Sequence, residues 1–526
     1  MARNIYCRLI LTGLLKLNSP LHVGGFGEAV DTDMPLAQNG AGDLYIPGTS
    51  LAGTLREYIT QVFGISLIEK LWGYQINDNS NVSSLIIDDM VITDSKKVIV
   101  EIRDNVRIDR KTGTAADRGK FDRAVIPRGA VMPLNLKIEV ETEEDRSESI
   151  AMIVELQSAL KEGLIQLGGA KTRGLGCIQL VGGGSLKEQK FSNRTEILSF
   201  LADPSGVEIS KNDIDNATQQ IKNNGLTKLN FTIDWEPIGP LMVKSGIDGF
   251  AVDMIPLTSG NSGNKLSLIL PGSSLKGAVR SHAERIIRTL LGTISKDNSE
   301  LSEDLNLPLI NEIFGRCAQS DKKEPSLSSD TSTDMDTSIN AGPLPGIGAL
   351  KIRDCYGKNS FTQDQWSKIQ SAKEDSDLRT ALNAADLNHW QQGYHVAIDR
   401  WIGSASDHML FSLLEPHQVK WEPLNFDLDG TRLPNNLLRP AITLILMLIR
   451  ELTSKRLPLG FGTRRGMGEL KVNTVKISGT NLPDDLKFLL DKTLVNGNIS
   501  ELAKEDLKVL SNSWKEWLNQ KQGATA

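Results

Sequence analysis

The chain has 526 residues, a formal charge of −6 and ordinary apolar (39%) and charged (24%) fractions. That length calls for more than one hydrophobic core, and the composition excludes a disordered or fibrous chain. A net negative charge argues against a protein that simply coats DNA, and the most apolar run, 441–449, is too short to span a bilayer.

In chain order, Met1-Ala2-Arg3-Asn4 leads not into a signal peptide but into a strand on which Ile5, Cys7, Leu9 and Leu11 alternate with polar residues. Ser19-Pro20-Leu21 and Asp33-Met34-Pro35-Leu36 follow. Ile46-Pro47-Gly48-Thr49-Ser50-Leu51-Ala52-Gly53-Thr54-Leu55-Arg56 reads as a strand broken by Pro and Gly, then a helix whose start Thr49 and Ser50 are placed to cap. Between Glu101 and Arg128 eight Lys/Arg face five Asp/Glu, a local positive excess. Leu134 to Val140 is another alternating strand. A helix through Ile150, Ile153, Leu156 and Leu160 ends at the Gly-rich stretch Gly168 to Gly176, and a short strand from Cys177 to Leu180 closes the unit.

The chain then repeats itself. Gly239-Pro240-Leu241, Asp253-Met254-Ile255-Pro256-Leu257 and Leu270-Pro271-Gly272-Ser273-Ser274-Leu275-Lys276-Gly277-Ala278-Val279-Arg280 answer the first motifs in order, and Pro20 to Asp33 and Pro240 to Asp253 both span 13 residues. Ile313-Phe314-Gly315 answers Leu71-Trp72-Gly73. Val396 to Arg400 answers Val106 to Arg110, and Gly460 to Gly468 answers Gly168 to Gly176. A strand over Leu229 to Trp235, a helix through Leu444 and Leu448 and a strand from Leu470 to Val472 complete the second copy. The pattern predicts an α+β fold: two tandem ferredoxin-like (RRM-like) domains at 1–185 and 227–476, a connector at 186–226, a Ser/Thr/Asp-rich mobile loop at 318–345 and a helical tail at 477–526. With seven acids and six lysines beyond residue 476, the tail reads as a packing element rather than a phosphate binder. Four scattered cysteines (Cys7, Cys177, Cys317, Cys355) form no metal-ligand or disulfide pattern and fit a reducing cytoplasm.

Three features carry chemistry. Helix starts after Pro-Gly turns attract anions through free N–H groups and the macrodipole; Arg56 and Arg280, a turn and a half on, would reinforce a phosphate site. The Gly-rich loops expose backbone amides beside Lys171, Arg173, Arg464 and Arg465. They follow helices and lack a Walker or Rossmann signature, which speaks against a nucleotide cofactor. Third, the 101–128 stretch concentrates cations.

On the Asp-Met-Pro-Leu region, the Pro-Gly-Thr-Ser-Leu-Ala-Gly-Thr-Leu-Arg helix start, the Trp/Phe-Gly step and the Arg-Gly-x-Gly loop, the chain resembles the RAMP superfamily. More narrowly it is similar to the backbone subunits of type III CRISPR-Cas effector complexes, in a tandem-fused, III-D-like form. The resemblance implies a guide RNA (crRNA) held along the subunit, a complementary target RNA, other RAMP subunits as partners, no membrane, and a thumb hairpin in each copy. It implies cleavage of target RNA by its own 2′-OH, with Mg²⁺ (or Mn²⁺) on an aspartate: Asp33 in the first copy and Asp253 in the second, which stands three rather than two residues before its proline. Asp31 and Asp248 are the alternates. The first thumb would carry Arg107, Arg110 and Lys111, the second Arg400 and Trp401. Thr49, Ser50, Ser273, Ser274 and Lys276 complete the implied RNA contacts. Two other readings stand beside this one: a non-cleaving guide-RNA scaffold, and a guide-processing endoribonuclease using a general-acid/base histidine, for which His22 is the sole candidate near a first-copy motif.

Overall fold

The computed structural model describes residues 4–25, 32–76, 79–110, 112–220, 225–261, 265–292, 307–316 and 346–523. Asp31, Lys111 and the segment 318–345 lie outside the described residues. The first half comprises β1 (Cys7–Leu17), α1 (Gly48–Phe63), β2 (Leu85–Ile87), the hairpin β3 (Glu101–Ile108) and β4 (Ala115–Val125), β5 (Val131–Val140), α2 (Glu143–Lys161) and β6 (Ile178–Lys190). The second half comprises β7 (Lys228–Pro237), β8 (Thr258–Asn261), α3 (Gly272–Leu291), β9 (Leu350–Ile352), the hairpin β10 (Gln391–Ile398) and β11 (Ala405–Glu415), β12 (Leu424–Asp429), α4 (Asn435–Thr453), β13 (Leu470–Thr480) and the final helix α5 (Lys504–Gly523).

Both main sheets are antiparallel and share one strand order, β6-β1-β5-β2 and β13-β7-β12-β9, each with one further short strand outside β6 or β13. The first strand of each half lies between the last and third, the order of a ferredoxin-like α+β fold. The sequence dictates this through period-two burial. Cys7, Leu9, Leu11, Leu15 and Leu17 are fully buried on one face of β1, and Leu229, Phe231, Ile233 and Trp235 on β7. Helices α2 and α4 cover those faces with Ile153, Leu156 and Leu160, and with Leu444, Ile445 and Leu448. Each such side chain contributes about 1.5–3 kcal/mol on burial.

The strands after the Gly-rich loops run much further than the expected Cys177 to Leu180 and Leu470 to Val472. Gly182, Gly183 and Gly184 all have positive φ, and the β1–β6 register shifts between Thr12 and Leu14. Those glycines make a bulge through which the strand continues, rather than ending it. Residues 186–220 add to the first half: Arg146 of α2 bridges Glu188 (2.6 Å) and Asp213 (2.9 Å). The tail packs on the second core through Leu486, Leu489, Leu510, Trp514 and Trp517. Among the described residues no helix is long and apolar enough to cross a membrane.

The halves meet along a polar seam. Hairpin β3–β4 lies on the second half, where Arg103 donates to Asp354 (2.7 Å) and to the Ser259 hydroxyl (3.1 Å). Glu101 accepts from Ser259 (2.9 Å) and from the Gly260 N–H. Arg110 binds Glu284 (2.8 Å), Arg128 binds Glu422 (3.2 Å), and Glu57 of α1 pairs with Arg432. Gly174 must be glycine here: its φ is +96°, and a Cβ would sit 2.2 Å from an Asp354 oxygen.

Candidate nucleic-acid interface

The two hairpins are the same object built twice. Asp109 and Asp399 open identical turns, with Asp109 N–H to Thr114 O and Asp399 N–H to Ser404 O, both 2.8 Å. Both registers shift by three residues, between Val106 and Ile108 and between Val396 and Ile398. Both second strands carry a left-handed residue at the same step, Arg118 (φ +51°) and His408 (φ +59°). Bulges of this kind re-aim a hairpin's twist.

The aspartate segment docks at the base of each hairpin. Met34 O accepts from Ala124 N–H (3.1 Å), and Met254 O from Leu414 N–H (2.9 Å). These pins fix Asp33 and Asp253 as equivalents, and the alignment runs through Met34 and Met254 rather than through the prolines. Pro35 answers Ile255: Gly25 N–H reaches Pro35 O and Ser245 N–H reaches Ile255 O. Asp33 is exposed; its carboxylate accepts from Asp122 N–H (2.9 Å) while Asp33 N–H donates to the Asp122 carboxylate (2.7 Å). Thr32 also donates to Asp122 (2.7 Å), and these two donors hold the Asp122 pKa below its usual value. In the second half, exposed Asp253 accepts from both N–H (2.7 Å) and hydroxyl (3.0 Å) of Ser412. Reasoning on motifs missed Asp122 and Ser412; their place in the hairpin's alternation is the only signal in the sequence. Asp248 pairs with Lys244 (3.3 Å).

These are hard oxygen donors, and Mg²⁺ is commonly held by one or two carboxylates with waters and substrate phosphates. Asp33 with Asp122 supplies two carboxylates and Asp253 supplies one, so both fit such an ion. Among the described residues no cluster of three potential ligands stands alone.

Cations flank each aspartate. Arg123 packs against Met34 and over the Phe121 ring (5.8 Å); burial and nearby Arg173 push its pKa down. In the second half Arg465, from the Gly-rich loop, lies 5.0 Å from the Phe411 centroid and 5.8 Å from that of Phe461. The loops fold alike: Gly169 N–H reaches His22 O and Phe461 N–H reaches Met242 O, with left-handed Gly176 and Gly468 closing onto Leu167 and Leu459. Arg173, Arg464 and Arg465 are exposed, as are Arg56, Arg107, Arg400 and Thr49.

The helix starts differ from expectation. Neither Thr49 and Ser50 nor Ser273 and Ser274 caps its helix. Asp89 takes the Gly48 N–H and Asp354 the Gly272 N–H, both at 2.7 Å, so an internal carboxylate already uses each macrodipole. Lys276 is buried, donates to Leu350 O (2.8 Å) and has its pKa driven well down by burial; it is a structural lysine, not an RNA contact. Arg280 is held by Glu284 (2.7 Å) and Gly315 O (2.8 Å), Arg110 by Glu284, and Lys171 by Thr54 and Glu57. His22 is buried, its Nδ1 2.8 Å from Ala124 O, and burial lowers its pKa. That placement serves packing rather than proton transfer to a substrate.

A family model of the RAMP superfamily matches residues 14–179 and 236–471. The CRISPR system Cms endoribonuclease Csm3 of Methanocaldococcus jannaschii is 26% identical over 198 residues, covering 33% of this chain and 78% of that protein.

Proposed function

Since this chain belongs to the RAMP superfamily, we propose that it is a tandem backbone subunit of a type III, III-D-like CRISPR effector working in the cytoplasm. In this reading it binds guide RNA and cuts complementary target RNA at two places, once per module, with modules at 1–185 and 227–476. The observation that carries the reading is the repeated pinning of an exposed aspartate to the base of a bulged hairpin.

The attacking group is the target's own 2′-OH, so no protein nucleophile is needed. Each hairpin acts as a thumb that bends the paired RNA and brings 2′-OH, phosphorus and leaving 5′-oxygen into line; such placement is worth up to ~7–11 kcal/mol. Asp33 with Asp122, and Asp253 beside Ser412, face the reacting phosphate, and Arg465 over Phe411 holds the neighbouring backbone. Mg²⁺ or Mn²⁺, held by those carboxylates, supplies positive charge at the phosphate. Arg56, Arg107, Arg173 and Arg464 give salt-dependent grip without reading sequence; the guide reads sequence by pairing.

The test is target-fragment mapping in the assembled complex, with Mg²⁺ and with EDTA. Asp33→Ala and Asp253→Ala are each expected to remove one metal-dependent cut and leave target binding intact. Tight binding by the parent without any cut would make the chain a scaffold instead.

A further inference from the structure

The seam between the halves is not reproduced at the chain's free surfaces. Among the described residues, hairpin β3–β4 reaches the second half through Glu101 on Ser259 and Gly260, Arg103 on Asp354, Asp104 against Gly246, and Arg110 on Glu284. The steps of hairpin β10–β11 equivalent to Glu101, Arg103 and Arg110, paired in the same register, hold Gln391, Gly393 and Arg400. The receiving surface changes too. In the first half Asp89 stands where Asp354 stands, each accepting from the first N–H of its helix. Asp89 is exposed while Asp354 is buried under the seam. Counting from the matching Pro-Gly turns, Glu284 of α3 answers Thr60 of α1.

A second copy stacked on the free hairpin in the seam's geometry would therefore set Gly393 against Asp89 and Arg400 against Thr60. One carboxylate would be desolvated without a cation and one guanidinium without an anion, an arrangement that costs far more than it returns. The tip differs in the same direction. Where the first hairpin has Lys111 and Thr112, the second has Trp401 (95% exposed) and Ile402 (67%). An exposed apolar cluster of this kind marks a contact surface. The first hairpin's tip shows what the position touches, since Arg110 binds Glu284 and Gly113 lies against Arg464, both on the neighbouring half. Gly403 and Gly466, the counterparts of Gly113 and Gly174, have open space around them.

We infer that the seam's ion pairs act as an address: hairpin β10–β11 rejects a second copy of this chain and docks on a different protein, which offers a carboxylate to Arg400 and an apolar recess to Trp401 and Ile402. Calling that protein a neighbouring subunit of an effector rests on the function proposed above; the rejection of a second copy does not.

Two measurements test it. In sedimentation over a wide concentration range the parent is expected to remain a single chain. The variant Thr60→Glu/Gly393→Arg, which restores the seam's two hairpin ion pairs at the free surfaces (an arginine at position 393 facing Asp89, and Arg400 facing a glutamate at position 60), is expected to associate stepwise into larger species. Self-association of the parent overturns the proposal, as does a rebuilt variant that melts like the parent and stays single. Independently of that variant's folding, a photo-crosslinking phenylalanine analogue replaces Trp401 in the complex assembled with guide RNA and the neighbouring subunits. An adduct with a different protein chain is expected; an adduct with RNA, with a second copy, or none at all overturns the docking. A complex that forms a protein adduct yet cuts no RNA would fell the functional reading and leave this surface standing. If no complex assembles, the functional reading fails first and sedimentation alone decides the seam.

Discussion

Asp33 and Asp253 occupy one position in two modules but are held by different chemistry. Asp33 shares reciprocal hydrogen bonds with a second carboxylate, Asp122, whereas Asp253 rests on a hydroxyl and an N–H of Ser412. Replacing Asp122 by Ala removes a carboxylate and the acceptor for both Thr32 and Asp33 N–H. Small displacements at a reacting centre cost about 100-fold, so Asp122→Ala is expected to slow the first cut by about that factor and raise its Mg²⁺ requirement. Ser412→Ala keeps the N–H that grips Asp253 and loses one charge-assisted bond, for about a tenfold slowing of the second cut. Single-turnover rates for each fragment, read against Mg²⁺ concentration, check both. The aspartates were legible in the sequence because their spacing from Pro20 and Pro240 repeats; Asp122 and Ser412 were not, because the repeat does not preserve residue type there. Lys276 misled for the opposite reason: a cation beside a Pro-Gly turn resembles a phosphate ligand until its burial against Leu350 is known.

At the scale of elements, alternation and turn chemistry made the strands and the long helices readable, since both follow from local periodicity. The length of β6 was hidden because three glycines look like a stop and act as a bulge. The capping of α1 and α3 was hidden because Asp89 and Asp354 come from distant loops. The two Gly-rich loops show how one local motif acquires two roles. Gly174 and Gly466 both have positive φ, but only Gly174 faces a carboxylate across the seam. Gly466→Ala is expected to cost only the left-handed strain, about 1–2 kcal/mol. Gly174→Ala adds a clash with Asp354 and is expected to cost more than that, with a lower denaturation midpoint. Equilibrium urea unfolding of the two variants separates these values.

Across the whole molecule, stability depends on how the halves are joined. Arg103 is buried between Glu101 and Asp354, and removing one partner from a buried network leaves charge uncompensated, at about 3–5 kcal/mol. Arg103→Ala is therefore expected to lower the unfolding midpoint and to let limited proteolysis separate the halves. A second link, Glu57 with Arg432 and Lys171, sets an acid limit. Burial raises the Glu57 pKa, but the two cations more than offset it, and the folded value lies below the ordinary 4.5. For a carboxyl whose folded pKa is depressed, the unfolded chain takes up protons first. The stabilisation is thus fully present above pH 4.5 and is lost as pH falls through the lower, folded value. Glu57→Gln should remove that contribution at neutral pH and flatten the acid limb of a stability–pH curve, while leaving the two curves to converge in strong acid. Urea midpoints of parent and variant between neutral pH and pH 3 measure the difference; parallel curves across that window would show that Glu57 does not carry the junction's acid sensitivity.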